Sequence, residues 1–402
     1  MVHLNRRTFL RQTLQLATGA LLTGCTTLPM VGAANVRAAD ITDYRNATVR
    51  PPLLTGQLQP TVPAPDLPLS AKIGQMIMVG FGGRYVDENS GVVQQIAEGR
   101  VGSVVLFGRN VESPDQLQAL TTTLRGYSPI PLLVSMDQEG GWVARLQRGF
   151  GISSNYSAQY LGAQSGLDLT RAQADSTGQR LAELGINLNL APVVDLNTNP
   201  SNPIIGRYER SYSADPTVVA DHARTVIEAH RAHNVFCTLK HFPGHGSSQG
   251  DTHYGFVDVT DSWQITELAP YAALIGSQTC DVIMTAHIFN STLDPDYPAT
   301  LSANIITGIL RQKLGFDGVV ISDDMQMGAI SKQYNLETAV RLAIIAGVDI
   351  IAFSNNITLN RGASAQRLHD IILGLVDAGT ITPQRIDASY QRIMRLKRRL
   401  AG

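Results

Sequence analysis

"VFCTLKHFPGHG", residues 235–246, changes character halfway. The first six residues, "VFCTLK", are short, apolar and rich in strand-forming side chains, as expected of a strand buried on both faces. Pro243, Gly244 and Gly246 then force a turn and deny the following loop any regular structure. Lys240 and His241 stand at the join. A strand ending here delivers two proton-handling side chains to its C-terminal rim.

The same scheme recurs along the chain. Apolar runs occupy 75–81 ("QMIMVGF"), 102–107 ("GSVVLF"), 131–136 ("PLLVSM"), 186–193 ("INLNLAPV"), 281–286 ("DVIMTA"), 318–322 ("GVVIS") and 348–354 ("VDIIAFS"). Helical patterns lie between most of them. "SPDQLQALTTTLRGY" opens with Ser113 as an N-cap, and "LTRAQADSTGQRLAELG" stops at Gly185. "PTVVADHARTVIEAHRAHN", "SANIITGILRQKLG" and "LETAVRLAIIAG" repeat the theme. Eight β–α units in roughly 330 residues predict an α/β protein, a (β/α)8 TIM-like barrel forming one catalytic domain over residues 69–402. An open doubly wound sheet is the alternative, but no glycine-rich dinucleotide fingerprint follows the first strand. A barrel demands that chemistry gather just after strand C-termini. "DQEGG", "VVDLNTNP", "KHFPGHG", "AHIFN" and "SDDMQM" meet that demand after strands three to seven.

Composition narrows the class. The 402 residues are 44% hydrophobic and 16% charged, with a formal net charge of −1. Such a chain is a globular enzyme rather than a disordered protein, and offers no electrostatic case for a nucleic-acid partner. Residues 1–24 differ from the rest. Arg6 and Arg7 precede "LQLATGALL", a run too short to span a bilayer, and no acid appears before Asp40. The pattern resembles a twin-arginine export signal. It closes in Leu22-Thr23-Gly24-Cys25, which resembles a lipobox with Cys25 as the lipidated residue; ordinary cleavage near "VRAAD" would remove Cys25 instead. Losing three arginines and no acid takes the charge from −1 to about −4. Residues 25–68 then form a tether between membrane and domain. Cys237 and Cys280 read as buried free thiols, although export permits a disulfide between them.

Three constellations carry chemistry. Asp323 and Asp324 follow an apolar strand, where an ionised carboxylate is costly unless paired or at work; a helix N-cap with an acidic first turn is the plain alternative. Asp137 at a strand end and Arg145 eight residues on suit bidentate bonds to vicinal hydroxyls, or a structural pair closing the barrel mouth. Arg207 and Arg210 add loop arginines. Beyond Gly246, Asp251-Thr252-His253 reads D-x-H. In an extended segment its outer side chains lie on one side, so Asp251 can fix the tautomer of His253 and raise the basicity of its other nitrogen. An Asx-turn beside a surface histidine would look the same. His241, His245, His253 and Asp251 are zinc-ligand types, but their spacing matches no short zinc motif and Lys240 adjoins His241, so neither a metal nor a cofactor is expected.

"KHFPGHG" followed by "DTH", with "DQEGG…R" upstream and "SDDM" downstream, resembles the glycoside hydrolase family 3 β-N-acetylglucosaminidases from about residue 70 onward. The resemblance implies a TIM-like barrel, Asp323 as nucleophile, and His253 as general acid/base assisted by Asp251. It implies substrate contacts from Asp137, Arg145, Arg210, Lys240 and His241. The family's Ile-Gly-x-Arg-Ser stretch is two residues longer here, "IIGRYERS": Arg210 keeps the right-hand context and Arg207 is its rival. Some members carry a second α/β domain, which is not expected after "ASYQRIMRLKRRL". His245 is left as loop structure.

The expected function is therefore an exported, retaining exo-β-N-acetylglucosaminidase, anchored by lipid on the periplasmic or extracellular side. Its substrates would be peptidoglycan fragments or chitooligosaccharides. Alternatives are a β-glucosidase or β-xylosidase, an N-acetylglucosaminide phosphorylase, and a non-catalytic wall-binding lipoprotein.

Overall fold

The computed structural model describes residues 66–400, except residue 153 and residues 357–363. The export signal, Cys25 and nearly all of the tether lie outside the described residues. The rest is built around eight parallel strands: β1 (Ile77–Gly80), β2 (Ser103–Leu106), β3 (Leu133–Met136), β4 (Leu188–Asn189), β5 (Phe236–Phe242), β6 (Val282–Thr285), β7 (Val319–Ile321) and β8 (Ile351–Phe353). Their order is β7-β6-β5-β4-β3-β2-β1-β8. The Ile321–Ile350 bridge, together with Ser322 N–H donating to Ile350 O at 2.9 Å, closes β7 onto β8. The sheet is thus a barrel, as the eight apolar runs predict. Every paired strand residue is buried, which is why the runs do not alternate.

The helices wrap outside, and their caps follow the sequence signals. Ser113 Oγ accepts from Gln116 N–H at the start of Pro114–Gly126. Gly185, at φ +75°, follows Asp168–Glu183, a conformation that favours glycine. Two elements depart from expectation. "SANIITGILRQKLG" forms a ten-residue π-helix, Asn304–Lys313, where an α-helix was expected. β4 pairs over only two of its eight predicted residues, and the chain then passes a cis Ala191–Pro192 bond. Proline has no N–H to give a ladder, so the apolar run outlasts the pairing. Cys237 and Cys280 are both free thiols; burial pushes the Cys237 thiol up, leaving it inert. No described helix is long and apolar enough to cross a membrane.

Candidate active site

A cavity of about 250 Å³ opens at the C-terminal end of the barrel. Its floor is apolar, from Met78, Val105, Leu190, Met284 and Ala352, and its walls carry the charged groups. Asp137 leaves β3 directly. Glu139 follows two residues later and lines the same cavity, as the two-residue period of extended chain predicts. A tight turn brings the chain back: Gly140 and Gly141 both have positive φ, and Glu139 N–H bonds Val143 O at 2.9 Å. That return places Arg145 beside Asp137, with Nη2 donating to Oδ2 at 3.1 Å.

β5 supplies the opposing wall. The strand runs through Phe242, so Lys240 and His241 lie within it and not at its very end, and a cis peptide joins them. Lys240 Nζ donates to Asp137 Oδ1 at 2.8 Å and pairs with Glu139 Oε1 at 2.7 Å. Arg210 grips Glu139 with two bonds of 2.8 Å, from Nε and Nη2, and gives a third to Ile204 O. Parallel N–H bonds of this kind fix a guanidinium in plane and position. Arg210 therefore forms the cavity wall, while its rival Arg207 is exposed. Burial alone would raise the Asp137 and Glu139 carboxyls; the facing cations outweigh it, and Glu139 is brought down to about 2. Burial likewise opposes the charge on Lys240, and the two carboxylates reverse it and raise the ammonium's pKa. All three stay ionised at neutral pH.

His241 is held by a carboxylate that the sequence reading passed over. Asp195, at the end of the β4 segment, is fully buried; its Oδ2 accepts from His241 Nδ1 at 2.7 Å, while its Oδ1 accepts from the backbone N–H groups of His241 and His245. That fixes the His241 tautomer and leaves Nε2 facing the cavity side, 3.4 Å from Arg210 Nη2. His245 is more than loop structure. It is buried, lines the cavity, and sits edge-on to His241 with ring centroids 6.0 Å apart. Burial lowers its pKa to about 4, so the ring is neutral.

Asp323 leaves β7 into the same cavity. Burial works against its charge, but His287, His241 and His253 hold the carboxyl below its ordinary value. Its neighbour Asp324 also touches the cavity, but its carboxylate is engaged, accepting from Ser354 Oγ and the N–H groups of Gln326 and Ser354. His287 bonds the Asp324 carbonyl at 3.0 Å. The N-cap alternative does not hold: Asp324 closes a turn onto Gln326, and the next helix starts only at Gly328 with Met327 before it. Asp323, whose Oδ1 accepts from Asp324 N–H at 2.8 Å, lines the cavity.

Asp251 and His253 lie on the loop after β5. Asp251 Oδ1 accepts from both His253 Nδ1, at 2.7 Å, and its backbone N–H, at 2.9 Å. With Nδ1 donating, Nε2 is the nitrogen left to exchange a proton. His253 lines the cavity with Asp323 yet keeps a side chain 47% exposed. The Asx-like backbone bond and the dyad are both present. Among the described residues no three His, Cys, Asp or Glu side chains converge as a metal would need.

The structure therefore brings Asp137, Arg145, Arg210, Lys240, His241, His253 and Asp323 to one cavity, with Asp251 behind His253. Glu139, Asp324 and His245 line it too, and Asp195 stands behind His241. Glu139 was legible as the second acid of "DQEGG"; Asp195 stood in "VVDLNTNP" with no spacing signal to a partner 46 residues on.

The chain is similar to known glycoside hydrolases in sequence and in fold. The glycosyl hydrolase family 3 N-terminal domain matches residues 68–396. A beta-hexosaminidase A of Pseudoalteromonas piscicida is 35% identical over 324 residues, 75% of this chain; the chain spans only 54% of that relative's length. A beta-hexosaminidase of Xylella fastidiosa is 33% identical over 320 residues, covering 76% of this chain and 92% of its own. Among solved structures, a glycoside hydrolase family 3 beta-N-acetylglucosaminidase from Paenibacillus sp. superposes with a TM-score of 0.77 at 37% identity, over 84% of this chain and 63% of that one. A beta-N-acetylhexosaminidase from Beutenbergia cavernae gives 0.73 at 32% identity, over 83% and 99%.

Proposed function

This chain belongs to glycosyl hydrolase family 3, and from that premise we propose that it is a retaining exo-β-N-acetylglucosaminidase, removing terminal N-acetylglucosamine from a glycan. One observation carries the reading: a buried, ionised Asp323 and the Asp251–His253 dyad line or flank a single sugar-sized cavity whose other wall is the Asp137–Arg145–Lys240–Arg210 clamp. The clamp suits sugar hydroxyls because it offers both donors and acceptors in fixed places.

In the first step the Asp323 carboxylate attacks the anomeric carbon while the bond to the leaving oxygen breaks. His253, as imidazolium, gives its Nε2 proton to that oxygen, and Asp251 holds the ring through Nδ1–H. Water then attacks the anomeric carbon. Its proton passes to neutral His253 Nε2, and Asp323 departs as a carboxylate. An imidazole here replaces the second carboxyl usual in retaining glycosidases. Asp323→Asn should lower kcat on an aryl N-acetyl-β-glucosaminide by about 10⁴-fold or more. Near wild-type turnover would remove Asp323 as nucleophile.

A second reading concerns the acceptor. After proton donation His253 is neutral, so an anion meets less repulsion than a carboxylate acid/base would present. Phosphate can then compete with water, and a digest run in phosphate would yield N-acetylglucosamine 1-phosphate in place of the free sugar. Comparing aryl glucoside with aryl N-acetylglucosaminide separates a β-glucosidase.

The location reading rests on residues outside the described part. Arg6-Arg7 and the Leu22–Cys25 lipobox support export and a lipid anchor, and with them a substrate from peptidoglycan fragments or chitooligosaccharides. Incorporation of an alkyne fatty acid that persists in Cys25→Ser would overturn the anchor.

A further inference from the structure

The helix that follows the nucleophile strand starts without an ordinary cap. Gly328–Ser331 is a single turn, and Met327 before it makes no side-chain capping bond. A helix start leaves N–H groups with no partner inside the helix. Here the loop that carries the acid/base takes two of them. Gly328 N–H donates to His253 O at 3.0 Å, and Ala329 N–H donates to Thr252 O at 3.1 Å. Lys332 Nζ adds a third bond, to Tyr254 O at 2.8 Å. Three consecutive carbonyls, from 252 to 254, are thus held by one stretch of chain beginning five residues beyond Asp323.

The fit leaves no room for a side chain. A Cβ on Gly328 would lie 2.7 Å from the Tyr254 carbonyl carbon, 2.8 Å from its oxygen and 2.9 Å from His253 O. These are backbone atoms, which cannot turn aside as a side-chain tip can. The requirement is for space at a close approach of two chains.

We propose that Gly328, assisted by Lys332, is a positioning residue for the acid/base: it sets the His253 backbone against the chain that bears Asp323, so that proton donor and nucleophile share one reference. The inference rests on reading His253 as the acid/base. Neither residue touches the reacting atoms. Each acts through carbonyls of the loop, so its loss should mimic a displaced proton donor while leaving sugar binding and nucleophilic attack in place.

The test compares Gly328→Ala and Lys332→Gln with wild type and His253→Ala on two substrates. A 2,4-dinitrophenyl N-acetyl-β-glucosaminide departs without protonation; chitobiose needs it. Azide is included because it attacks the anomeric carbon with no proton to lose, sparing the base. Gly328→Ala should lose on the order of 10²-fold in kcat/KM on chitobiose and less than about tenfold on the dinitrophenyl substrate, with glycosyl azide formed. Lys332→Gln, which leaves the backbone untouched, should show the same split at about threefold to tenfold on chitobiose. Equal losses on both substrates, or none, would overturn the proposal. Should Gly328→Ala fail to fold, Lys332→Gln decides by the same criterion. If His253→Ala itself shows no split, the acid assignment falls and this inference with it; if it does and neither other variant follows, only the positioning role falls.

Discussion

The two halves of the cavity are built on opposite terms. On the side proposed to hold the sugar, Lys240, Glu139 and Arg210 have side chains 3%, 6% and 9% exposed, and both cations bond Glu139 at 2.7–2.8 Å. On the side proposed to move the proton, the His253 side chain is 47% exposed and bonds one neighbour two residues away. A buried ion pair is favourable only with excellent geometry and every remaining polar group satisfied. The clamp meets that demand at Glu139, where Lys240 from β5 and Arg210 from the loop after β4 both close on one carboxylate. A proton donor must exchange with its surroundings between steps, so it stands at the solvent edge, and its position comes from main-chain carbonyls. On the proposed roles, recognition is tied to the stability of the fold, and proton transfer is largely separate from it.

Glu139→Gln tests the first half most severely. Removing the charge leaves Arg210 and Lys240 sharing fewer anions, which should cost about 3–5 kcal/mol of stability and depress activity together. The acid limb should change too. The Glu139 pKa lies near 2, below the ordinary 4.5, so its stabilising contribution is present above about 4.5 and lost as pH falls through about 2. Chemical denaturation between pH 2 and 5 checks this: the variant should lack part of the wild-type decline. A stable Glu139→Gln with reduced activity would break the coupling of fold and recognition.

Asp251→Asn tests the second half. Activity on chitobiose should fall roughly ten- to a hundredfold, since the amide cannot stabilise the imidazolium as the carboxylate does. The unfolding free energy should stay within about 1 kcal/mol of wild type, as expected for a partly exposed pair. A large loss of stability would mean that the dyad, too, is part of the scaffold.

The smallest expected effect lies beneath the boundary between the halves. Glu267 is buried under the Gly244–Ser248 turn and accepts from Gly246 N–H at 3.1 Å, and burial raises its carboxyl to about 7. The folded state then binds more protons than the unfolded one between about 4.5 and 7. Stability from this group is full below 4.5 and lost as pH rises through 7. Glu267→Gln should flatten that decline and stabilise the protein at pH 8 by about 1–3 kcal/mol. A variant no more stable at pH 8 than wild type would remove Glu267 from the pH response.

Much of this was legible because the barrel imposes simple rules. Strands buried on both faces read as apolar runs, and β5 was misjudged by Val235 at its start and by His241 and Phe242 at its end. Asp323 stood out because an acid after "VVIS" needs a reason. What could not be read were the partners. Glu139 meets Arg210 and Asp195 meets His241 across separate strands, and no periodicity links positions 71 or 46 residues apart. Gly328 was invisible for a different reason. It sits where two loops meet, and nothing local distinguishes a glycine that turns a chain from one that makes room for another.

The clamp also bears on how substrate arrives. Arg145, Arg210 and Lys240 face Asp137, Glu139, Asp323 and Asp324, three cations against four carboxylates around one small space, with Asp195 behind His241. Opposed charges at such separations cancel within a Debye length, about 8–10 Å at ordinary ionic strength, so little field reaches out of the mouth. An uncharged sugar is therefore captured by collision alone, and kcat/KM on a neutral chitooligosaccharide should be indifferent to added salt.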